Sequence, residues 1–351
     1  MDWISENMTA SSDGNTFRSV GLVGMGSLGS ALFEEFVRIL VNKMNTDANS
    51  VEKTTAKHLE TSSAFQIIAF TSKPEHHINA LSRAGFDKEI IANIRFRDVS
   101  ELETELDLPD WLFVTVPDQA ISEVAHRLSK NRKADWSRTS IIHCSGALSS
   151  QVFTKISNKG AQTASFHPLQ TFPKALDLST LKGHLRYRFQ DVPCSVEGDP
   201  NLSDTLIEFF SSECNAKPFL VNSTQKTTLH LAAVFISNGV VPLLSSAKKI
   251  LQDAGVEDGL SRLGPLFDAT FKNVTNLGEE ALSGPLKRGD IDTIRLHIDQ
   301  LKKQPAHLYR YALAGLLIYA VLSDDVQQSS DHRKIRDLLT EILNATNNRG
   351  S

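Results

Sequence analysis

The chain has 351 residues, and 40% of them are hydrophobic, which is enough for about two domains of roughly 150 residues each with well-packed cores. Its 37 basic and 41 acidic residues give a net charge of −4, which disfavours a general nucleic-acid binder or a binder of acidic membranes. The 3 cysteines have no CxxC spacing. They predict neither a disulfide framework nor a metal site, and they favour a reducing, cytoplasmic location.

Neither a leader segment nor a membrane span is predicted. Residues 1–16 are polar and partly acidic, without the apolar core of a signal peptide or the arginines of a transit peptide, and are expected to form a short disordered lead-in. The longest apolar run, Tyr311–Leu322, has 12 residues, whereas a membrane span needs about 20. This run therefore predicts a buried helix.

Strands and helices alternate in the first part of the chain. A strand ending at Val23 is followed by a glycine-rich turn and an amphipathic helix. The polar stretch at residues 45–63 is interpreted as a surface insertion. The alternation predicts βαβ units on a mostly parallel sheet. The later predicted strands are Ala64–Ser72, Ile94–Phe96, Trp111–Val116, Thr139–Cys144, Thr163–Phe166, Pro193–Glu197 and Lys217–Val221.

Beyond about residue 222, apolar residues recur at helical spacing in Leu229–Leu244, Ile291–Leu301 and Leu308–Leu322. The predicted fold class is an α/β Rossmann-like N-terminal domain with a mostly parallel sheet, followed by an all-α C-terminal domain. We place the dinucleotide-binding domain at 17–222 and a helical substrate and dimerisation domain at 223–351. Because two of these helices are apolar nearly all round, we expect a homodimer.

The glycine-rich turn has the pattern GxGxxG between a strand and a helix. Its residues are Gly24, Met25, Gly26, Ser27, Leu28 and Gly29. Glycines in this context let the backbone approach a pyrophosphate at the positive end of the helix, so dinucleotide binding is favoured over a merely tight turn. The second strand ends at Ser72 and Lys73 without an acidic residue, which favours NADPH over NADH. The alternative for Lys73 is a solvated loop lysine.

Further candidate residues follow the later strands, where ligands of open α/β sheets bind. The cofactor is expected to meet Val116, Pro117 and Asp118. Ser145, with the amides near Gly146, could bind a substrate carboxylate, or could merely cap a glycine turn. His167 precedes a proline and could face the nicotinamide or the substrate, or be a structural histidine.

The start of the helical part carries a second group of polar residues. Lys226 and His230 are four residues apart and therefore share one helix face, with Asn238 to its side. A surface Lys/His pair is the ordinary alternative. A later glycine-proline turn carries Arg288 and Asp290, and it could bring Arg288 to an anionic substrate.

Six segments together carry a family resemblance. They are GMGSLG, VPDQAI, HCSGAL, SFHPLQTF, LHLAAVFISN and ALSGPLKRGD. In this order they resemble a bacterial-type Rossmann-like oxidoreductase family whose C-terminal helical domain has no known function. The family is similar in build to the 6-phosphogluconate dehydrogenase, ketopantoate reductase and pyrroline-5-carboxylate reductase superfamily. The match covers about residues 17–322.

The resemblance implies an NADP-dependent oxidoreductase, and some members resemble an alternative ketopantoate reductase. In the superfamily a lysine on the first helix of the C-terminal domain commonly donates a proton, with an asparagine one turn later. Lys226 matches that lysine, whereas His230 stands in place of the asparagine. The family pattern also tends to have a tyrosine and a threonine where this chain has Leu229 and Ser283.

The leading hypothesis is an NADPH-dependent reductase of a small, anionic, ketopantoate-like 2-oxo acid. Lys226 is the expected proton donor, because an unperturbed lysine is protonated at neutral pH. His230 would orient the substrate or relay the proton, and Ser145 and Arg288 would hold the carboxylate. One alternative is reduction of a cyclic imine of the pyrroline-5-carboxylate type. Another is a non-catalytic NADP(H)-binding or interaction protein.

Overall fold

A computed structural model of the chain describes residues 18–51, 65–105, 107–172, 177–180 and 185–347. The predicted lead-in at 1–16 and the later part of the predicted insertion, residues 52–63, lie outside the described residues. The chain forms two compact units, which divide between Ala233 and Val234. Each unit has its own architecture.

The first unit is built on one eight-stranded sheet. Its strands are β1 (Ser19–Val23), β2 (Gln66–Thr71), β3 (Ile94–Asp98), β4 (Trp111–Val114), β5 (Ser140–His143), β6 (Thr163–Pro168), β7 (Pro193–Gly198) and β8 (Lys217–Leu220). Their order across the sheet is β3-β2-β1-β4-β5-β6-β7-β8. Neighbouring strands are parallel except β6 and β7, which run antiparallel. The predicted α/β unit with a mostly parallel sheet is confirmed.

Helices lie between these strands and after the last of them. They are α1 (Ser27–Val51), α2 (Pro74–Arg83), α3 (Lys88–Ala92), α4 (Asp118–Lys130), α5 (Thr154–Ser157), α6 (Pro200–Cys214) and α7 (Ser223–Ile236). Helix α1 continues to Val51. Residues 45–51, which were predicted to begin a surface insertion, are therefore the last residues of this helix.

Alternate residues of the strands enter two separate hydrophobic cores, because successive side chains of a strand point to opposite faces. On one face, Phe113 and Phe166 meet Phe36 of α1 and Phe210 of α6, and the rings of Phe166 and Phe210 stack at 3.9 Å. On the other face, Val114 lies in a second core cluster with residues of α4. Burial on both faces explains why these strands appear in the sequence as continuous apolar runs.

The strand order reverses direction at β1, which lies between β2 and β4. The carboxyl ends of β1, β2, β4, β5 and β6 lie at the same edge, since these strands are parallel. Ligands of open α/β sheets bind at such a reversal, outside the carboxyl ends of the strands. This edge is therefore where the fold positions a ligand site.

The described part of the second unit is entirely helical, as predicted. Its helices are α8 (Val240–Asp253), α9 (Gly259–Arg262), α10 (Gly264–Leu277), α11 (Pro285–Arg288), α12 (Ile291–Leu301), α13 (Pro305–Ala320), α14 (Asp324–Gln327) and α15 (Ser330–Asn347). A small core joins Leu286, Ile294, Ala312 and Leu339 from α11, α12, α13 and α15.

The predicted buried helix at 311–322 is only half buried in the single chain. Helix α13 buries Ala312, Gly315 and Tyr319 along one face, and α15 packs closely there because a Cβ at Gly315 would lie 2.7 Å from Leu339 Cδ1. The opposite face is open, and Leu317 is 66% exposed. For the single chain the expectation of full burial was wrong, because the helices that pack against α13 cover only part of its surface.

One described stretch, Ser223–Asp253, is long and apolar enough to cross a membrane by length and composition alone. It contains two helices, α7 and α8, which are separated by a turn at residues 237–239. Lys226 lies in its first turns, and its ammonium group is engaged by another part of the first unit. The absence of a membrane partner stays a prediction.

Candidate active site

The glycine-rich turn after β1 has three glycines with three different constraints. Gly24 has φ of +100°, in the left-handed region that favours glycine. A Cβ at Gly29 would lie 2.3 Å from the Gly24 carbonyl oxygen, so α1 can pack this closely on the turn only without a side chain. A Cβ at Gly26 would meet no heavy atom within 4 Å. These are the requirements of a dinucleotide-binding turn: a tight bend, an open approach and close helix packing.

Side chains in and near the turn anchor it to the rest of the first unit. Met25 and Leu28 are half-buried and pack against the core, while Ser27 is the first residue of α1. Thr115, which the sequence analysis missed, directly follows β4. Its hydroxyl oxygen lies 2.8 Å from the Gly24 carbonyl oxygen and 3.1 Å from that of Val23, so its hydroxyl group holds the bend. The turn therefore fits a pyrophosphate, which would contact mainly backbone.

A basic corner lies beyond β2. Ser72 and Lys73 are exposed, and α2 begins immediately after them. His77 follows one turn later, and its ring stacks on Phe96 with centroids 5.4 Å apart. Burial, with the nearby charges of His76 and Lys73, lowers the pKa of His77. The lowered pKa favours a neutral His77, so Lys73 is the residue of this corner whose charge suits an anionic ligand such as a phosphate.

The residues after β4 lie at the same edge of the sheet. Pro117 and Asp118 are exposed, and Asp118 is the first residue of α4. Val116 is half-buried and touches the glycine turn, since a Cβ at Gly24 would lie 3.0 Å from its Cγ1. Their predicted contacts with the cofactor stay predictions.

Lys226 lies in α7 and is 1% exposed. The start of α7 is fixed by a reciprocal cap: Asn222 Oδ1 accepts from the Gln225 amide, and Gln225 Oε1 accepts from the Asn222 amide, each at 2.9 Å. One residue later, the Lys226 ammonium donates to the Ser145 carbonyl oxygen. The predicted proton donor and the predicted substrate loop are thus brought together.

Two histidines lie against the same loop. The rings of His167 and His230 are nearly perpendicular, with centroids 5.6 Å apart. A Cβ at Gly146 would lie 2.3 Å from His230 Nδ1 and 2.8 Å from His167 Nε2, so both rings approach a backbone that carries no side chain. His167 Nδ1 lies 3.1 Å from the Cys144 carbonyl oxygen. We call His167, Lys226 and His230 the lysine–histidine cluster.

Ser145 takes part in the turn itself. Its Oγ accepts from the amides of Ala147 and Leu148 at 3.1 Å and 3.0 Å, and its own amide donates to His143 Nδ1 at 3.2 Å. These bonds are the ones expected of a capping serine. A contact between Ser145 and a substrate carboxylate stays a prediction.

Lys226 and His167 of the cluster differ in their charge at neutral pH. Burial lowers the pKa of Lys226 to about 8 although the nearby Glu197 carboxylate opposes this change. Burial, with the charge of Lys226, lowers the pKa of His143 and that of His167 to about 4 each. At neutral pH Lys226 is therefore mostly charged, while His143 and His167 are neutral. The lysine has the pKa that general acid catalysis near neutrality requires.

The three remaining predicted residues belong to the second unit. Asp290 caps α12, because its carboxylate accepts from the Thr293 amide at 3.1 Å and from the Thr293 hydroxyl at 2.7 Å, and these bonds lower its pKa. Arg288 is exposed at the end of α11, and Asn238 is exposed in the turn before α8. Their roles toward a substrate stay predictions.

Metal and thiol chemistry find little support in the described ranges. No group of three His, Cys, Asp or Glu side chains within them is arranged to hold a metal ion. Cys144, Cys194 and Cys214 are free and buried. Burial raises the pKa of all three thiols, that of Cys194 to about 12.

Comparison with known proteins matches part of the chain to a family model and most of the chain to a known fold. Residues 192–314 match the model of a domain of unknown function, DUF2520. A search of curated proteins finds no match. A Bacteroides fragilis protein provisionally named an NADP oxidoreductase aligns over 86% of this chain and 97% of its own, with 19% identity and a TM-score of 0.58. A Thermotoga maritima protein aligns over 93% and 98%, with 21% identity and a TM-score of 0.50.

A Streptomyces aurantiacus imine reductase aligns over 94% of this chain and 95% of its own, with 11% identity and a TM-score of 0.48. The Bacteroides and Thermotoga structures share the fold of this chain over nearly its whole length. The predicted resemblance to Rossmann-like proteins with a C-terminal helical domain of unknown function is confirmed.

Proposed function

From a chain that carries a DUF2520 region on a Rossmann-like fold, we propose an NADPH-dependent reductase of a small, ketopantoate-like 2-oxo acid. The observation that carries this proposal is the buried Lys226 ammonium, which is bonded to the loop after β5 at the carboxyl edge of the sheet. The glycine turn with open space at Gly26 lies at the same edge and supports a dinucleotide as the cofactor. Ser72 and Lys73 support NADPH over NADH.

When bound, the reduced nicotinamide supplies a hydride to the carbonyl carbon of the substrate. Lys226 donates a proton from Nζ to the carbonyl oxygen, so that the 2-oxo acid becomes a 2-hydroxy acid, and the lysine regains a proton from water. Its positive charge stabilises the negative charge that develops on this oxygen. A pKa near 8 makes the donor more effective at neutral pH than an ordinary lysine would be.

The two histidines of the cluster orient the substrate. With its pKa near 4, His167 stays neutral and can offer Nε2 as a hydrogen-bond partner beside Gly146. His230 Nδ1 is buried against Gly146 and has no hydrogen-bond partner in the described structure, so a ligand that shifts this loop could bond to it. The absence of a side chain at Gly146 brings both rings to the loop that Lys226 also contacts.

We also propose that the protein works as a cytoplasmic homodimer through its second unit. Helix α10 has no buried residue in the single chain, and Leu266 and Phe271 on it are 64% and 65% exposed. Apolar faces of this kind need a cover, and a second copy would provide one.

The decisive experiment is NADPH oxidation by the purified full chain with ketopantoate, other branched 2-oxo acids and pyrroline-5-carboxylate. We expect turnover with a 2-oxo acid and slower or no turnover with NADH. Turnover with the cyclic imine alone would replace the proposed substrate class with imines. A protein that binds neither nicotinamide cofactor would overturn the proposal.

A further inference from the structure

Glu197 is a buried carboxylate at the inner end of β7, 7% exposed. It accepts three hydrogen bonds from two serines. Oε2 accepts from the Ser150 amide at 2.9 Å, and Oε1 accepts from the Ser150 hydroxyl at 3.0 Å and from the Ser223 hydroxyl at 3.1 Å. Three segments that are distant in the sequence therefore meet at one side chain.

Both serines lie close in the sequence to the two residues joined by the ammonium bond, Ser145 and Lys226. Ser150 begins a short 3-10 turn five residues after Ser145, whose carbonyl oxygen accepts from Lys226. Ser223 is the first residue of α7 and precedes Lys226 by three residues, so the two lie on neighbouring positions of one helix face. Glu197 thus fixes the loop that accepts the ammonium bond and the helix that supplies it.

The charge of Glu197 also acts on the ammonium. Its hydrogen-bond partners are neutral, and a buried carboxylate without a cationic neighbour is costly. Lys226 interacts electrostatically with Glu197, and among the charges that favour the protonated form of Lys226, Glu197 contributes more than Cys144 or Asp118.

Other titratable groups face the cluster from the surrounding elements. They are Asp118 of α4, His143 of β5, Cys144 after β5, His167 of β6 and His230 of α7 itself. The histidines at 143 and 167 are neutral near pH 7, and burial keeps the Cys144 thiol protonated. Asp118 is exposed, so solvent screens its charge. Among the described residues that act on Lys226, Glu197 is therefore the buried carboxylate.

We propose that Glu197 is the positioning residue for Lys226, holding both segments that form its ammonium bond and supplying the counter-charge that keeps the ammonium charged. The catalytic consequence rests on the proposed function, in which Lys226 donates the proton. The effect on the ammonium itself does not depend on any activity.

Matched variants distinguish the charge of Glu197 from its hydrogen bonds. Glu197→Gln removes the charge but keeps a side chain that can bond to both serines, because hydroxyl groups can turn to accept from the amide. Ser223→Ala keeps the charge and removes the bond to α7. Glu208→Gln removes an exposed carboxylate from α6 and serves as the control for a general loss of charge.

The first measurement needs no substrate. The full chain with ¹³C-labelled lysine is titrated by NMR, and the Lys226 signal is identified by its loss in Lys226→Arg. We expect Lys226 to titrate near pH 8 in the wild type and about one pH unit lower in Glu197→Gln, since an opposite charge nearby stabilises the ammonium. Glu208→Gln and Ser223→Ala should titrate like the wild type. An unchanged Lys226 titration in folded Glu197→Gln would overturn the proposal.

The second measurement is the pH dependence of kcat. A general acid works only while protonated, so the rate falls as the pH rises through the pKa of Lys226. In Glu197→Gln this fall should begin about one pH unit lower, while the affinity for NADPH stays unchanged. In Ser223→Ala the fall should stay in place while kcat decreases severalfold. An unmoved pH profile in an active Glu197→Gln variant would contradict the proposal.

The two measurements keep the two ideas distinguishable. If the NMR titration moves but the protein reduces no 2-oxo acid or imine, the proposed function fails and the role of Glu197 toward Lys226 stands. If Glu197→Gln does not fold, Ser223→Ala carries the test. A Ser223→Ala variant with unchanged kcat would then overturn the positioning role.

Discussion

The two units bury their apolar residues to very different extents. In the first unit, Phe33, Phe36, Phe113 and Phe166 are completely buried between the sheet and its helices. In the second unit, α10 buries no residue, and α8 buries only Ser246. Both regions are rich in apolar side chains, but only one of them covers these side chains within a single chain.

This difference indicates that the first unit provides a rigid support and that the second unit provides a surface for association. The cluster of His167, Lys226 and His230 belongs to the unit with the closed core, and groups that move protons need such rigid support. The second unit presents broad apolar faces, which are typical of surfaces that meet another protein. Substitutions can test whether these two properties are as separate as the burial indicates.

Lys226 should give the largest effect in the first unit. Lys226→Ala is expected to lower kcat by about a hundredfold or more, because the proton donor and its charge are lost together. NADPH affinity should change little, since the glycine turn is untouched. Steady-state kinetics and a nicotinamide fluorescence titration measure both quantities. Lys155→Ala, which removes an exposed lysine from the same unit, is the control. Near-normal kcat in Lys226→Ala would move the role to His230 or His167.

Helix α10 should give the largest effect in the second unit. Leu266→Asp combined with Phe271→Asp is expected to raise the dimer dissociation constant about a hundredfold or more, since each apolar side chain is worth about 1.5–3 kcal/mol when buried. Sedimentation over a range of concentrations measures it. Ile78→Asp, at an exposed apolar residue of the first unit, should leave the dimer intact. A wild-type protein that is monomeric at micromolar concentration would contradict the dimer.

The glycine turn separates stability from binding within the first unit. Gly29→Ala should destabilise this unit by about 1–3 kcal/mol, because the new Cβ would press on the Gly24 carbonyl oxygen. Gly26→Ala should leave the melting temperature unchanged and weaken NADPH binding, because its Cβ enters open space. Thermal unfolding with and without NADPH measures both. Equal melting temperatures for the two variants would show that the turn is not packed as described.

Lys73 should have an effect of about tenfold, smaller than that of Lys226 on kcat. Lys73→Ala is expected to weaken NADPH binding by about this factor, since one charge-assisted bond to a phosphate is worth roughly 1.5–3 kcal/mol. NADH binding should stay unchanged. Fluorescence titration with both cofactors measures the ratio. Loss of affinity for NADH to the same extent would assign Lys73 to the fold of the corner instead of to a phosphate.

The smallest effect concerns stability at the site itself. The burial of the Lys226 ammonium makes stability depend on pH, because the pKa of Lys226 in the folded chain lies below that in the unfolded chain. The sign is testable. Wild-type stability should rise between pH 8 and the ordinary lysine pKa of 10.5, since the unfolded chain binds more protons there. Lys226→Met should lack this rise in denaturant titrations at several pH values.

Local signals in the sequence predicted much of the fold. All eight predicted strands are present, and the central ones show up as apolar runs because strands of a parallel sheet are buried on both faces. The spacing of Lys226 and His230 correctly placed them near one another on α7. The half-exposed α13 was not predicted, since periodicity shows that a helix has an apolar face but not whether a neighbour covers it.

The supporting residues of the site could not be predicted. Glu197 bonds to Ser150 and Ser223, which are 47 and 26 residues away in the sequence, so no local pattern reveals the contact. Thr115 meets the glycine turn across 91 residues for the same reason. For Ser145 the sequence left two roles open, and the structure adds the bonds that cap the turn.

The three buried cysteines have a practical and biological consequence. Oxidants and alkylating reagents attack the thiolate, and Cys144, Cys194 and Cys214 are held protonated and away from solvent. The native protein should therefore tolerate peroxide without forming sulfenic acids or mixed disulfides. A cysteine introduced on the surface would then be the sole reactive thiol, and a single fluorophore could be attached there without altering the wild-type residues.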